Sequence, residues 1–575
     1  MNIFEIYKKK IQDLIIVNCK ELGIDPKVNF EGVVFEIPPQ KFNFDLSTNI
    51  ALVVAKKIKQ PPVKLANLIK DILIKDFDDF SEVVIAGPGF INFRFNSKMY
   101  QKLILDILKS NKKYGSSING NKKYNIEFVS ANPTGPMHIG HARGAIYGDV
   151  LANLLKFNGN DVIKEYYIND YGNQIINFVE SVFFRLKEIK FNEKFVNKEN
   201  LYPGKYVIDI AKKILIDIPE IDLTNLKKIF PVLREISLKY SMILIKNDLK
   251  SLGISHDNFV SEKSLVERDL VAKSINYLEG KKFVEEGYLD PPKGEDKKNW
   301  KKTKRLIFKS TLFGDDTDRA LQKNDGTWTY FANDIAYHAD KVSRNYNYLI
   351  NILGADHTGY IKRISAATSA LSDNKIFLIC RVCQLVKLFK NGQPYKMSKR
   401  AGDFISVRDF LNEVDKNSIR FMMLNRSNDV ELDFDFDKVL EKTRENPVFY
   451  VQYSYARISS LFRKLDIDIN KVFKINESDF QLNSHELNLF RKILDWPKVV
   501  ETASVKLEPH RIPFYLYELA THFHSYWSKG NEDPNYKFIV NEKIRNQNTL
   551  LIIKLVSITI ENGMEILGVD LPTKM

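Results

Sequence analysis

The spacing of apolar and polar positions divides the chain into three regions, and the first of them mixes helical and strand-like segments. Residues 83–86 and 90–95 are apolar runs on either side of a Gly-Pro-Gly turn, and this arrangement predicts a β-hairpin. The stretch 110–123 is polar and contains glycine, so it is predicted to be a linker. Residues 1–110 are therefore expected to form an N-terminal α+β domain.

The second region, residues 122–440, alternates strand-like runs with helical patterns. Apolar runs typical of strands occupy residues 125–130, 306–310 and 347–353, and a long helical pattern follows His138. Strands that alternate with helices in this way predict a parallel sheet covered by helices. We expect this region to be a doubly wound α/β domain.

The third region, residues 446–575, has helical periodicity. An apolar stripe begins just after Pro447, a residue favoured in the first turn of a helix. The stripe consists of Val448, Val451, Tyr455, Ile458 and Phe462. Further helical patterns around residues 514–527 and 544–567 complete an expected all-α helical bundle.

The overall composition is that of a folded protein with a moderate excess of positive charge. The chain has 575 residues, 44% of them hydrophobic, and its formal net charge is +14. Excess Lys and Arg favour polyanionic partners such as RNA, although basic surfaces also occur in proteins that never bind nucleic acid. The start of the chain has no charged segment leading into an apolar stretch, and the apolar residues 550–560 are too few to span a bilayer. We therefore expect no membrane association.

The cysteine content favours a reducing compartment and gives no support for a metal site. Three cysteines are too few for a disulfide framework in a chain of this length, so a cytoplasmic location is expected. Cys380 and Cys383 form a single C-x-x-C pair, whereas a closed zinc site needs about four ligands. We interpret the pair as two small residues on one face of a secondary structure element, and no metal site is predicted.

The stretch from Glu127 to Arg143 carries the strongest chemical signal. An apolar strand is predicted to end near Ser130, a turn rich in proline and glycine follows, and a helix is predicted to begin at about His138. Ligands of doubly wound sheets bind beyond the carboxyl ends of the strands, where free N–H groups at helix starts favour phosphate. His138 and His141 would share the first-turn face of the helix, although two such histidines are more often ordinary surface residues.

A second signal is the segment Lys396-Met397-Ser398-Lys399, which glycines flank on both sides. It follows His138 by 258 residues (396 minus 138), a distance that suits the opposite halves of one doubly wound domain. Two lysines on such a loop could neutralise negative charge growing on a departing pyrophosphate. By itself, a basic loop is usually a solvated surface feature.

Together, the two motifs resemble the HIGH and KMSKS signatures of the class I aminoacyl-tRNA synthetases, which have a Rossmann-like catalytic domain. The fifth position of the second motif is Arg400, where the family usually has serine. The resemblance implies that ATP, with Mg²⁺, activates an amino acid with the help of four catalytic residues: His138, His141, Lys396 and Lys399. It also implies contacts with ATP from Gly140, Gly354, Asp356, His357, Met397 and Ser398.

Among these synthetases, the chain most resembles the arginine-specific family. Synthetases for isoleucine, valine and leucine carry an editing domain and are much longer, since a hydrophobic pocket rejects a missing methylene by only about 1–3 kcal/mol. The resemblance covers nearly the whole chain, including residues 86–93, 127–143, 310–319, 329–341, 354–360 and 446–453. It implies that Glu127, Tyr330 and Asp334 hold the guanidinium, and that Ser130 and Asn132 hold the amino and carboxylate end.

Two of the predicted arginine ligands also have structural interpretations that involve no ligand. Glu127 could be an edge-strand surface residue, and Asp334 could simply cap the helix that follows it.

An anticodon-reading role is typical of the family's helical domain, because unpaired bases stack on aromatic rings. The candidate rings are Tyr450, Tyr453, Tyr455 and Trp527, although helical aromatics more often belong to the core.

The resemblance further implies how the enzyme interacts with tRNA, and three alternative functions compete with this interpretation. The N-terminal domain would contact the elbow of tRNA(Arg), bound tRNA would be required for arginine activation, and the enzyme would act as a monomer. The rivals are a nucleotidyltransferase of the same superfamily, a non-catalytic RNA-binding paralogue, and synthetases for glutamate, glutamine or lysine.

Overall fold

The computed structural model describes residues 2–117, 120–196, 198–289, 303–395, 405–471 and 480–575. Its contacts separate the chain into two compact units. One unit consists of residues 1–118 together with 442–575, and the other consists of residues 119–441. The first unit thus contains both terminal regions, and the second contains the alternating α/β region.

The N-terminal part of the first unit packs helices on a small antiparallel sheet. Its elements are α1 (Ile3–Val17), α2 (Cys19–Leu22), β1 (Phe35–Glu36), β2 (Leu46–Thr48), α3 (Ile50–Ile58), α4 (Pro62–Asp76), β3 (Phe80–Ala86), β4 (Phe90–Phe95) and α5 (Ser97–Ser110). The strand order is β1-β2-β4-β3. Ala86 pairs with Phe90 across the turn, so the predicted hairpin is confirmed.

The second unit is an α/β domain with a helical insertion. Its elements are β5 (Lys123–Glu127), α6 (Ile139–Phe157), β6 (Asp161–Ile168), α7 (Asn173–Phe191), α8 (Lys205–Asp217), α9 (Leu226–Ser251), β7 (Asn258–Ser261), α10 (Glu262–Glu267), α11 (Leu270–Gly280), β8 (Val284–Gly287), β9 (Arg305–Phe308), β10 (Arg319–Ala320), α12 (Tyr330–Ser343), β11 (Tyr348–Gly354), α13 (Ile361–Leu371), β12 (Phe377–Cys383), β13 (Val386–Lys390), β14 (Gln393–Pro394), α14 (Val407–Glu413), α15 (Lys416–Met423), β15 (Leu432–Asp435) and α16 (Phe436–Leu440). Helices α7, α8 and α9 pack around an apolar cluster of their own that includes Val182 and Ile210.

A parallel sheet of order β12-β11-β5-β6-β7 organises this unit. All its neighbouring strands run parallel, as a doubly wound sheet requires. The chain continues from β5 to β6 on one side and later returns to β11 on the other side of β5. The strand order therefore reverses between β5 and β11, and ligands of such sheets bind at the carboxyl ends of the strands at this point.

Three details of the sequence-based prediction are wrong. Strand β5 ends at Glu127 rather than near Ser130, because Val129 and Ser130 have φ values of 71° and 41°, which interrupt an extended strand. The run at 306–310 contributes β9, which belongs to an antiparallel sheet with β8 and β10 instead of the parallel sheet. Cys380 and Cys383 both lie in β12, where a spacing of three places them on opposite faces.

The C-terminal part of the first unit is a helical bundle. Its elements are α17 (Pro447–Lys464), α18 (Ser484–Lys506), α19 (Arg511–Glu532), β16 (Ile539–Val540), β17 (Lys543–Ile544) and α20 (Gln547–Leu567). Helix α17 begins at Pro447 as predicted, and the side chain of Asn446 caps it by accepting the N–H of Phe449. The predicted stripe is mostly buried: Val448, Val451, Ile458 and Phe462 are each at most 2% exposed.

The terminal regions share buried polar contacts within the first unit. Part of the predicted linker is packed rather than solvated, since Tyr114 is 1% exposed and its carbonyl accepts the indole N–H of Trp496 at 3.0 Å. A buried ion pair joins Asp45 Oδ1 to Arg491 Nε at 2.7 Å. The signal missed in the sequence was Tyr114 itself, a large apolar ring inside an otherwise polar stretch.

Candidate active site

The start of α6 holds the two histidines in a mutual capping arrangement. Nδ1 of His138 accepts the N–H of Gly140 at 3.1 Å, and Nδ1 of His141 accepts the N–H of His138 at 3.3 Å. Because both Nδ1 atoms accept, each neutral ring carries its proton on Nε2. The ring centroids are 3.8 Å apart. Two Nε2–H donors therefore lie together at the positive end of a helix, which suits a phosphate ligand.

Both histidines are neutral at pH 7. Burial lowers the pKa of His138, and burial together with the neighbouring His138 lowers the pKa of His141 to about 4. The imidazoles can consequently donate hydrogen bonds to phosphate oxygens without adding positive charge. A lysine at the same position would add a positive charge.

Gly140 has a local reason to be glycine. A Cβ atom at this position would lie 2.8 Å from Cε1 of His138, closer than such contacts allow. The absence of a side chain therefore makes room for the capping imidazole. This reason operates whether or not ATP approaches the backbone here, as the sequence-based interpretation expects.

The predicted lysine motif, Lys396 to Lys399 with Met397 and Ser398, lies outside the described residues. The chain after it is placed next to the histidines. The carbonyl of Ile405 accepts the N–H of Ile139 at 2.9 Å, and Ser406 pairs with His138 in an isolated antiparallel bridge. Residues 405 and 406, the first described residues after the basic motif, therefore lie beside the start of α6.

The predicted adenosine-contacting residues follow β11, the strand next to β5. Gly354 ends β11, and Asp356 and His357 follow in a short 3-10 turn with exposed side chains. The charge of Asp356 acts on His141, whose pKa it raises against the larger effect of burial. The turn and the histidines consequently lie near each other beside β11 and β5, where the strand order of the sheet reverses.

Three carboxylates converge at the other side of β5. Burial, together with the charges of Glu127 and Glu262, raises the pKa of Asp334 to about 7, although a hydrogen bond from the Tyr360 hydroxyl and the charge of Lys341 act to lower it. The same three carboxylates act on the phenol of Tyr167 at the end of β6, whose pKa is raised mainly by burial. Such a concentration of acidic groups is costly without a bound cation.

Glu127 is held in a polar network. Its Oε2 accepts from the Nζ of Lys341 at 2.6 Å, and this lysine, whose side chain is fully buried, also donates to Asn351 Oδ1 at 3.0 Å. Strand β5 lies in the centre of the sheet, so Glu127 is not an edge-strand residue. Lys341 pairs directly with Glu127 and acts on Asp334 through its charge.

Among the remaining predicted arginine ligands, Ser130 contacts one of these carboxylates directly, whereas Asn132 and Tyr330 have other surroundings in the described residues. Ser130 Oγ donates to Glu127 Oε1 at 3.0 Å and accepts the N–H of Tyr167 at 3.1 Å. Asn132 Oδ1 accepts from Asn169 at 3.1 Å. Tyr330 is the first residue of α12, is 70% exposed, and borders an open groove of about 1310 Å³.

Asp334 does not cap a helix. Thr329 is the N-cap of α12, and its side chain accepts the N–H of Ala332 at 3.3 Å. Asp334 lies one turn further on, where Tyr330 and Asp334 share a face of the helix as predicted from their spacing. The carboxylate of Asp334 instead accepts a hydrogen bond from the Tyr360 hydroxyl.

Two residues of the loop after β5, Val129 and Ser130, adopt backbone conformations that favour glycine. Val129 has a φ of 71° and Ser130 a φ of 41°, and a positive φ is a true outlier for a β-branched residue. The N–H of Ser130 donates to the carbonyl of Phe128 at 3.1 Å across this bend. Such strain is typical of functional sites, and here it turns Ser130 Oγ toward Glu127.

Sequence reasoning missed Glu262, Lys341 and Tyr360 as members of this cluster. Glu262 directly follows β7, so its position after a strand of the parallel sheet was a usable signal. It is 4% exposed, and its Oε1 accepts from Asn333 at 2.9 Å. Lys341 and Tyr360 lay inside segments that carry the family resemblance, but no local pattern distinguishes them.

Comparisons with known proteins agree with this geometry. Three family models match: the arginyl tRNA synthetase N terminal domain at residues 9–95, the catalytic domain of tRNA synthetases class I (R) at 103–203, and the DALR anticodon binding domain at 451–575. The arginine–tRNA ligase of Pelagibacter ubique is 50% identical over 577 residues, which cover 100% of both chains. The chain belongs to the arginyl-tRNA synthetase family.

More distant members of the arginyl-tRNA synthetase family agree. The arginine–tRNA ligase of a Wolbachia species from Brugia malayi is 44% identical over 99% of both chains. The Thermus thermophilus arginyl-tRNA synthetase structure has a TM-score of 0.70 at 20% identity, and the match covers 99% of this chain and 100% of that one, so it supports the fold. The expected fold class and the expected enzyme class, an aminoacyl-tRNA ligase, are both confirmed.

The four predicted aromatic residues have different surroundings in the helical domain, which matches the family's anticodon-binding model. The guanidinium of Arg457 lies over the rings of Tyr453 and Trp527, at 4.3 and 5.2 Å from their centroids. The ring of Tyr450 lies tilted against that of His524, with centroids 4.3 Å apart, and His524 contacts Arg457. Tyr455 points elsewhere, toward Glu561 of α20, whose charge adds to the effect of burial in raising the pKa of Tyr455 to about 12.

Within the described parts of the chain, the synthetase has no helix that combines the length and the apolar character needed to cross a bilayer.

Proposed function

We propose that the chain ligates L-arginine to tRNA(Arg) in two steps, with the crevice at the carboxyl ends of β5 and β11 as its active site. In the first step, the arginine carboxylate attacks the α-phosphate of Mg·ATP in line, so arginyl-adenylate forms and pyrophosphate leaves. In the second, the 3′-terminal adenosine of the tRNA attacks the adenylate. The observation that carries the proposal is the convergence of Glu127, Asp334 and Glu262 at the carboxyl end of β5, the strand that precedes α6 and its histidine pair.

The acidic cluster provides the specificity for arginine. A guanidinium is always charged and offers planar donors that match carboxylates in pairs. Asp334 and Glu262 would receive it, Glu127 would contribute through its network with Lys341, and the Tyr330 hydroxyl would add a contact from the mouth of the cleft. Ser130 and Asn132, which follow β5, would hold the amino and carboxylate end of the substrate, and this assignment is supported by the hydrogen bond between Ser130 and Glu127.

The histidine pair and the turn after β11 provide the ATP site. Neutral His138 and His141 would donate through Nε2–H to phosphate oxygens, and the positive end of α6 would add to this attraction. Asp356 and His357, with Gly354 and Gly140, would border the ribose and adenine. No protein ligand is assigned to Mg²⁺, which enters with the substrate ATP.

Charge neutralisation on the leaving pyrophosphate is assigned to Lys396 and Lys399, with Met397 and Ser398 at the nucleotide. This assignment rests on the family motif. No covalent enzyme intermediate is required, so catalysis consists of positioning and charge stabilisation.

The remaining parts of the chain would bind tRNA. We assign residues 1–110 to the elbow of the tRNA, 122–440 to catalysis and 446–575 to the anticodon loop. In the last of these, Tyr453 and Trp527 beside Arg457 are the stronger stacking candidates. We also propose that the enzyme acts as a cytoplasmic monomer and that arginine activation requires bound tRNA.

An aminoacylation assay separates the arginine assignment from its rivals, and a pyrophosphate exchange assay tests the tRNA requirement. The purified chain is incubated with ATP, total tRNA and each labelled amino acid in turn, and acid-precipitable label is counted. Only arginine should become attached, because the acidic cleft repels glutamate and matches a planar guanidinium better than an ammonium group. Charging of lysine, glutamate or glutamine would contradict the arginine assignment, and exchange of pyrophosphate into ATP without tRNA would contradict the tRNA requirement.

A further inference from the structure

We infer that Asp248 is a positioning residue for adenylate formation, because its carboxylate holds the chain before His138 in register with the chain after Ile405. The inference rests on the proposed function. Asp248 lies near the end of α9, in the helical insertion, and neither motif of the family contains it. It acts on the reaction through the backbone that carries His138.

The first contact is a hydrogen bond to buried backbone. The N–H of Met137 donates to Asp248 Oδ2 at 3.0 Å. Met137 is 0% exposed and Asp248 is 1% exposed, so water cannot replace the acceptor easily. Without it, a buried N–H directly before the capping histidine would have no partner, a situation that proteins avoid.

The segment that Asp248 holds is half of a short antiparallel pairing. The N–H of Ile139 donates to the carbonyl of Ile405, and the N–H of Val407 donates to the carbonyl of Met137, both at 2.9 Å. His138 lies opposite Ser406 between these two bonds. A shift of Met137 would therefore displace both His138 and the chain that emerges from the lysine motif.

A charged side chain reaches Asp248 from the other half of the pairing. Nε of Arg408 lies 3.5 Å from Asp248 Oδ1, and the Arg408 side chain is 60% exposed. Oδ1 is buried and accepts no hydrogen bond from the described residues. Asp248 thus contacts one segment through a hydrogen bond and the other through charge, and the two contacts use different carboxylate oxygens.

The geometry required of His138 explains why a displacement should matter. Its imidazole caps α6 and sets the direction of Nε2–H, and a misplacement of about 1 Å in a catalytic group can cost about 100-fold in rate. The arginine cleft is built from β5, β7 and α12, which Asp248 does not contact in any described interaction. Loss of Asp248 should therefore slow adenylate formation and leave arginine binding nearly unchanged.

Asp248→Ala and Asp248→Asn together test the inference. The asparagine Oδ1 can still accept from Met137, whereas alanine cannot. In tRNA-dependent pyrophosphate exchange, we expect kcat of Asp248→Ala to fall about 30- to 100-fold. Its KM for arginine should stay within about twofold of wild type. Asp248→Asn should retain kcat within about threefold, since it keeps the hydrogen bond and loses only the attraction to an exposed arginine.

Two control variants distinguish positioning from general destabilisation. Asp209 borders the same cavity, of about 120 Å³, but has no bond to the described residues of either paired segment, so Asp209→Ala should keep wild-type kcat. Val182→Ala removes buried volume from the core of the helical insertion. It should lower the melting temperature as Asp248→Ala does, yet leave kcat near wild type at a temperature where all variants are folded.

The outcomes are decisive in each direction. A kcat for Asp248→Ala within about twofold of wild type, or an equal loss in Val182→Ala, would overturn the positioning role. If Asp248→Ala does not fold, Asp248→Glu decides: it pushes the carboxylate outward by one methylene, and a wild-type kcat would overturn the inference. Absence of arginine-dependent exchange in the wild-type enzyme would instead refute the proposed function.

Discussion

Replacing Asp334 with asparagine should stabilise the protein while it abolishes efficient use of arginine. Asp334 is placed among Glu127, Glu262 and the Tyr360 hydroxyl, where burial raises its pKa to about 7. Asparagine has the same shape and removes the charge that this environment penalises. Its Oδ1 can still accept the hydrogen bond from Tyr360, so the packing of α12 should persist.

The size and sign of the effect follow from proton linkage. The carboxyl group has a pKa of 3.8 when unperturbed and about 7 in the folded protein, a difference worth about 4 kcal/mol. Between these values the folded state binds more protons than the unfolded state, so this group makes wild-type stability fall as pH rises from about 4 to about 7. The advantage of Asp334→Asn should therefore be small at pH 4, about 1.5 kcal/mol at pH 5 and up to about 4 kcal/mol at pH 8.

Denaturant unfolding at these three pH values measures the stability difference, and pyrophosphate exchange measures the use of arginine. The KM for arginine should rise at least about 100-fold in Asp334→Asn, because a charged pair to the guanidinium is lost. In wild type this KM should fall as pH rises through about 7, since arginine binds best to the ionised carboxylate. Asp340→Asn on the same helix is a matched control. Asp340 pairs with Arg268 and Arg344, so its loss should not stabilise the protein.

The result that would refute this reasoning is an Asp334→Asn protein no more stable than wild type at pH 8. An unchanged KM for arginine would refute the assignment of Asp334 to the guanidinium. The first outcome would mean that the carboxylate is already compensated, most simply by Lys341, whose charge lowers the pKa of Asp334. The second would move the guanidinium toward Glu262.

Three further predictions concern other parts of the second unit. Glu262→Gln should raise the KM for arginine about 10- to 100-fold in pyrophosphate exchange, with kcat affected less, since the loss is one charged partner. Arg143→Met should lower the free energy of unfolding by at least about 3 kcal/mol in urea titrations, because the buried guanidinium donates to the carbonyls of Gln384, Ser427 and Val430. Lys399→Ala should slow exchange about 10²- to 10³-fold, and near-normal turnover would exclude its assigned role.

Local signals in the sequence located several elements accurately. The hairpin of β3 and β4, the start of α17 at Pro447 and the start of α6 at His138 depend on residues within a few positions of each other. Turn glycines, a proline in the first helical turn and a capping side chain act over such distances. For the same reason, the shared face of His138 and His141 was predictable from their spacing.

Features that depend on contacts between residues far apart in the sequence were harder to predict. The strand-like run at 306–310 has the composition of a sheet strand, but its partners decide that β9 joins an antiparallel sheet. Tyr114 lies in a polar stretch and becomes buried because Trp496, far along the chain, packs on it. Glu262 and Tyr360 join the acidic cluster only through the strand order and the placement of α12.

The sequence alone was sufficient to predict the enzyme family, the class of reaction and the residues of both motifs, because these depend on residue types at fixed short spacings. Only the tertiary structure added Glu262 to Glu127 and Asp334, paired Glu127 with Lys341, and joined Asp248 to Met137. Each of these pairs is separated by many residues. Their interactions arise when a parallel sheet aligns the carboxyl ends of its strands, and pKa values depend on that burial and proximity rather than on neighbours in the chain.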